Sequence, residues 1–477
     1  MAERIIFPIP TIFAGLDTKH SEEIKAAKSK FRLVQNMRFN GDEGNKRGGQ
    51  SKYNTTRIAA YKIDSLYRLY PEDYTRVMIA VCNGSMYEGT DATGAWTSIK
   101  GSLTAGKKFS FAEMYDTTDK LNLYMFNGVD APQYWDGDAA ATSSITGTPP
   151  TDKYVVFHRD RLFSAGNTTT PQFISWCANS NPNNWTAADD AGTMDVGFKI
   201  TGLVKMSDYI VIFGERKIKL LIGYSYDTFR LTEPFADIGT KFPYSIKNCG
   251  GIIYFLTEVR EDTYQVARFD GALARLVNDD VELTLAYPAR AEQVDSNYDN
   301  DRYELAYPSG DGANDKVLVF NTKYGVFESI DDRAINCFCK WDGTLDSGEV
   351  YAGDPSDGFV RKQNTGLLDD TTAIDAYCET AYYPLGGDEY EKQFTDVYVK
   401  CELSTTQTLT VTAKSDEGTS SDAQTLTGAG ASVAVEHRKT SFSLTGRTIA
   451  VRLANSTASK DMGIKLASFA FELLKLR

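Results

Sequence analysis

Histidine is the scarcest chemistry-bearing residue here, with three in 477 residues: His20, His158 and His437. They fall in three separate predicted regions, so the sequence assembles neither a zinc centre nor a Ser-His-Asp triad. An excess of basic residues is lacking too. Lys and Arg number 51 against 64 Asp and Glu, giving a net charge of −13. A general nucleic-acid binder is expected to carry a basic surface, so that class is disfavoured. No apolar run approaches the roughly 20 residues that cross a bilayer as a helix. Met1–Pro10 lacks the charged and apolar regions of a signal peptide, and synthesis in the cytoplasm is expected. Cysteine is thin: Cys82, Cys177, Cys249, Cys337, Cys339, Cys378 and Cys401. An odd count without framework spacing excludes a disulfide scaffold and predicts reduced thiols. Cys337-Phe-Cys339 is one residue short of the CxxC spacing. On a strand the two would share one face as buried thiols.

What the chain does contain is aromatic and glycine-rich: 27 Tyr, 25 Phe and 38 Gly against 14 Pro. Aromatic and β-branched residues suit pleated, half-buried strands, and glycine suits tight turns. The predicted fold class is all-β. Residues 1–60 read as an irregular N-terminal extension, with a short helical piece at Ser21–Lys30. From Ile63 a rhythm of strands sets in. Its units run over 63–99, 108–135, 154–185, 202–231, 245–277, 292–330 and 335–362. Turns such as Asn83-Gly84, Trp135-Asp-Gly137, Phe269-Asp-Gly271 and Trp341-Asp-Gly343 punctuate it. A period of roughly 40 to 50 residues with about four strands predicts a β-propeller of about six or seven blades over 61–364. Residues 365–392 read as a linker. Strands at 394–403, 408–414, 432–437, 440–443, 448–453 and 464–473 predict a C-terminal β-sandwich over 393–477, with 404–407 and 417–422 as loops.

Several motifs come close to a known chemistry and miss it. Gly101-Ser-Leu-Thr-Ala-Gly106-Lys107 has the glycines of a phosphate-cradling loop. It lacks the closing Ser/Thr and runs into a strand-like segment instead of a helix, so a turn is expected. His158-Arg-Asp160 matches the kinase triplet without its companions, and its flanks read as a hairpin. Asp295-Ser-Asn-Tyr-Asp-Asn-Asp301 begins like a calcium loop. Asn300 stands where glycine is needed and Ala306 where glutamate is needed, so a solvated loop is expected. Asp91-Ala-Thr-Gly94-Ala-Trp96 has the ingredients of a sialidase Asp-box in the wrong register, and no histidine follows a glycine as WD40 repeats require. No catalytic, cofactor-binding or metal-ligating residue is therefore predicted.

Three short stretches, Ala14-Gly-Leu-Asp-Thr18, Gln35-Asn-Met-Arg-Phe39 and Lys46-Arg-Gly-Gly49, resemble the N-terminal pattern of tailed-bacteriophage virion proteins. Gly48 stands where those proteins frequently have proline. Tyr154–Gly166, then Phe173-Ile-Ser-Trp176 and Asn181-Pro-Asn-Asn-Trp185, resemble a second stretch of the same group. The likeness covers short motifs in roughly the first 40% of the chain. The best-known members are the tail nozzle, or packaged-DNA-stabilisation, proteins of short-tailed phages. The resemblance implies a propeller-bearing structural subunit in a homo-oligomeric ring, usually sixfold. Such a ring lies in the virion tail or neck below the portal and adaptor, around the DNA exit channel, and helps retain packaged DNA. It implies no enzyme activity and no cofactor. DNA would pass transiently and without sequence preference, and an acidic wall would not hold it. The alternatives are a host receptor-binding virion protein and a glycan-cleaving propeller enzyme. Turnover of a capsular polysaccharide would identify the latter.

Overall fold

The structure is a computed structural model. It describes residues 4–8, 14–41, 43–70, 76–91, 94–233, 235–287, 289–341, 348–385, 387, 389–403, 407–428, 434–458 and 463–473. The chain is all-β, as its composition predicts, with one short α-helix at Glu22–Ala27 among the described residues. Phe13, the Asp342-Gly343 turn and residues 404–406 lie outside the described residues.

Among the described residues between 63 and 373 the strands form seven small, almost wholly antiparallel sheets, each built mainly from consecutive strands. The first is Ile63–Leu69, Val77–Cys82, Ser85–Thr90 and Trp96–Lys100. Its second strand, Val-Met-Ile-Ala-Val-Cys, is buried throughout, because both faces of the sheet are covered. Side chains alternate across a strand. Val77, Ile79 and Val81 therefore pack with Leu123 and Met125 of the second sheet, while Met78, Ala80 and Cys82 pack with Cys337, Cys339 and Tyr351 of the seventh. The same arrangement joins the second sheet to the third, the third to the fourth and the fourth to the fifth. Each fully buried Val, Leu, Ile, Phe or Met contributes roughly 1.5–3 kcal/mol. From the second sheet to the seventh, the leading strand of each packs on that of the next, and the seventh packs back on the first. First and second meet where Phe109 N–H donates to Ser65 Oγ at 2.7 Å and the Tyr67 and Phe111 rings pack at a tilt, 5.0 Å apart.

Two further sheets face each other. One holds Met37–Asn40, Glu43–Lys46, Gly463–Leu473, Lys392–Leu403 and Ala434–Gly446, with Arg4–Pro8 paired to Gly463–Leu473. The other holds Phe31–Gln35, Ala376–Thr380, Ile449–Asn455, Thr408–Ser415 and Ser420–Thr427. Their facing residues, among them Phe394, Val397, Leu409, Val411 and Val451, share one core with Leu256, Tyr264, Tyr303 and Phe327 of the fifth and sixth sheets.

The sheets redraw several expected segments. Residues 1–60 are not an irregular extension: Phe31–Gln35, Met37–Asn40 and Glu43–Lys46 belong to the two facing sheets, and Gln50–Lys52 pairs with Val360–Gln363 as a further strand of the seventh sheet. The expected linker contains Ala376–Thr380, hydrogen-bonded between Phe31–Gln35 and Ile449–Asn455. The expected loop at 417–422 runs into the strand Ser420–Thr427, and the two strands expected at 432–443 are one, Ala434–Gly446. Backbone donors and acceptors in these segments find partners far along the chain, which a local pattern does not display.

Candidate functional site

The residues that carry the N-terminal resemblance converge where the facing sheets meet the fifth, sixth and seventh. Asp17 is fully buried. Its carboxylate accepts Lys19 N–H and His20 N–H, each at 3.0 Å, and meets His20 Nδ1 at 2.8 Å. Leu16 N–H donates to Phe327 O at 2.8 Å and Thr18 N–H to Asp280 O at 3.0 Å, tying this loop to the fifth and sixth sheets. Asn36 sits at φ 55°, between two strands. Its amide donates to Asp375 O at 2.8 Å and its Oδ1 accepts Arg47 Nε at 2.8 Å. Arg38 grips Asp331 through both terminal nitrogens, at 3.1 and 2.5 Å. Arg333 adds contacts to Glu304 at 2.6 Å and Asp331 at 3.1 Å. Burial alone would raise the Asp331 carboxyl, but Arg38 and Arg333 overcome it and hold it well below the usual carboxylate range. Arg47 is buried against Asp369. The following glycines lie against backbone: a Cβ on Gly48 would be 2.8 Å from Asn364 Cα. That close approach leaves no room for a side chain at Gly48.

Asp17, His20 and Asp280 could together offer donors to a metal ion. Here those groups are already engaged, with Lys30 Nζ 3.0 Å from Asp280 and His20 on Asp17.

The second stretch is a hairpin. Arg159 and Asp160, at φ 51° and 53°, turn Tyr154–His158 into Arg161–Ala165. Both residues with positive φ make this the tight two-residue turn. Arg161 donates to Cys177 O at 2.7 Å and Asp190 O at 3.1 Å. Trp185 donates to Pro182 O and packs on Phe126. These are framework contacts. His158 is buried, and burial, with Lys205 and Arg159 nearby, pushes its imidazole down to about 4. It is therefore neutral in the folded chain at neutral pH. The unfolded imidazole titrates near about 6.5, so its contribution to stability is complete above that value and is lost as pH falls towards 4. His158→Gln is expected to flatten the loss of stability between pH 6.5 and 4.5, read from urea midpoints across that range.

The remaining sequence candidates resolve as follows. His20, His158 and His437 lie in different parts of the fold. Asp295–Asp301 is not a solvated loop: Asp295–Asp299 is a strand of the sixth sheet, and Asn300-Asp301 forms its hairpin turn. Asp295 is buried and paired with Lys108 at 2.6 Å, which occupies the carboxylate that a calcium ion would need. The Gly101–Lys107 stretch is a turn leading to the strand Ser110–Tyr115, as expected. All seven cysteines are buried free thiols. Cys337 and Cys339 share one face, and burial pushes Cys339 up to about 12.

One feature escaped the sequence reading. A cavity of about 640 Å³ opens where the segments leading into the first strands of the sheets converge. Lys62, Lys108, Lys153, Lys199 and Lys241 line it, with Glu292 as the one carboxylate among the described lining residues. The signal was present: a lysine shortly precedes the leading strand in five successive units.

Comparison with protein-family models gives no match, and comparison with curated proteins gives none either.

Proposed function

We propose that this chain is a structural, non-catalytic subunit of a ring in the tail or neck of a tailed bacteriophage. In this reading the seven sheets are the blades of a β-propeller and the two facing sheets a β-sandwich fastened to it. The observation that carries the reading is the placement of the resembling residues. Asp17, Asn36, Arg38, Arg47 and Arg161 are all committed to holding the subunit together. A likeness concentrated in framework residues suits a shared architecture more than a shared reaction. The propeller reading is supported by the succession of apolar clusters between neighbouring sheets, which returns from the seventh to the first, and by the N-terminal strand on the seventh sheet. A net charge of −13 suits a wall past which DNA must move.

A second reading, host-receptor recognition within the same virion, is favoured by one surface feature. Tyr224 and Tyr226 are 74% and 51% exposed, and the Arg159 guanidinium lies 4.3 Å over the Tyr224 ring. Exposed aromatic residues beside arginine suit adaptable contacts. Native mass spectrometry of the assembled protein separates the two. Six copies are expected for the ring, and a trimer would favour recognition instead.

A further inference from the structure

The lysine-lined cavity has no part in that structural reading, and its electrostatics run against the rest of the chain. Lys62 immediately precedes the leading strand Ile63–Leu69, and Lys107 and Lys108 precede Ser110–Tyr115. Lys153 precedes Tyr154–His158, Lys199 precedes Gly202–Met206, and Lys241 precedes Lys247–Cys249. Five carboxylates answer them: Asp64, Asp295, Glu292, Glu215 and Glu258. Glu258 is shared with Arg216 at 3.0 Å, and Lys107 has no acidic partner among the described residues. Each of the five lining lysines thus has one carboxylate partner, but of those carboxylates only Glu292 lines the cavity, and neither Lys107 nor Arg216 is among the lining residues.

Lys153 registers the imbalance. It pairs with Glu292 at 2.6 Å, yet burial pushes its ammonium down and Lys107 and Lys108 push it further. A concave, low-dielectric wall with one sign of charge in excess focuses potential on its opening. The volume falls within the roughly 300–1,000 Å³ of small-molecule sites. The lining contains lysine and no arginine. Ammonium groups act as point charges suited to tetrahedral oxyanions, whereas planar carboxylates favour the arginine fork.

We propose that this cavity binds a small polyphosphate-class anion, its oxygens contacted by Lys62, Lys153, Lys199 and Lys241. The inference stands independently of the ring reading. The test is calorimetric titration of the full-length, assembled protein with inorganic tripolyphosphate at two salt concentrations. One site per chain is expected, weakening as salt rises. Lys62→Gln/Lys199→Gln changes the two most exposed of these side chains, 44% and 59% accessible. It is expected to weaken binding on the order of tenfold and to lower the melting temperature without ligand, because losing Lys62 leaves the buried Asp64 carboxylate without its ion-pair partner. Lys107→Gln, which breaks no ion pair among the described residues, should weaken binding less. It serves as the second variant if the double substitution disturbs folding. Adenosine triphosphate binding no tighter than tripolyphosphate assigns the site to the phosphate chain, and tighter binding assigns it to a nucleotide; both uphold the proposal. Absence of binding overturns it. So does binding of several anions per chain that neither variant alters, which would mark diffuse association with surface lysines.

Discussion

Replacing Arg38 with methionine is expected to cost about 3–5 kcal/mol of stability at neutral pH, the range for removing one partner of a buried ion pair. Asp331 is fully buried and Glu304 is 5% exposed. In the variant Arg333 would be the one ion-pair partner left to both among the described residues. Methionine keeps the bulk of the arginine stem, so the loss reads the charge more than the packing. The pH dependence distinguishes the two. The folded Asp331 carboxyl lies below its usual range, so its stabilising contribution is present above about pH 3.9, the unfolded value, and is lost as pH falls further. The gap between wild type and variant should therefore be widest at pH 7 and narrow on acidification, as protonation discharges the stranded carboxylates. Urea denaturation at pH 7 and at about pH 3, below the unfolded carboxyl value, reads both quantities. A loss below about 1 kcal/mol at pH 7, the level of an exposed pair, would contradict the placement of Arg38.

Gly49→Ala should be nearly as damaging, for a steric reason. A Cβ there would lie 2.0 Å from Leu368 O and 2.6 Å from Leu368 N. Both are backbone atoms that cannot swing aside. Gly49 N–H donates to Gly366 O and Thr365 N–H donates to Gly49 O, each at 2.9 Å, so the clash falls on the contact that seats Gln50–Lys52 against the seventh sheet. Forced overpacking of this kind costs about 1–3 kcal/mol, read as a lower melting temperature. Amide exchange should accelerate across 360–370. Gly310→Ala is the control, since a Cβ at Gly310 meets nothing within 4 Å. If the two substitutions melt alike, the N-terminal strand does not close the seventh sheet as described.

These two predictions fall where sequence reading was weakest. The sheets between 63 and 363 were legible because their inner strands are short apolar runs such as Val77–Cys82 and Tyr209–Phe213, set off by turns such as Asn83-Gly84. The N-terminal strands were not. Val34, Met37 and Phe39 are buried, but Asn36 at φ 55° interrupts the alternation between them, and their partners lie near the other end of the chain. Ser420–Thr427 was missed for the opposite reason. It is largely exposed, so it carries no hydrophobic period to read. The ion-pair network was invisible because Arg38, Glu304 and Asp331 come from three separate strands, and pairing is a property of the fold. The lysine-lined cavity lies between these cases. Its residues recur at similar positions in the repeat, but the recurrence acquires meaning only once the sheets bring them to a single opening.

The same framework residues connect the fold to the proposed role. A ring subunit must keep one shape under load while DNA leaves. Here a shared apolar core and a buried ionic clamp join the facing sheets to the fifth and sixth sheets. Chain position in the virion is the most direct test of that role. A low-resolution map of the intact virion, with this chain located by an epitope tag, is expected to show it on the tail axis in a sixfold ring below the portal, surrounding the DNA exit channel. Density at the tail periphery, away from that channel, would contradict it.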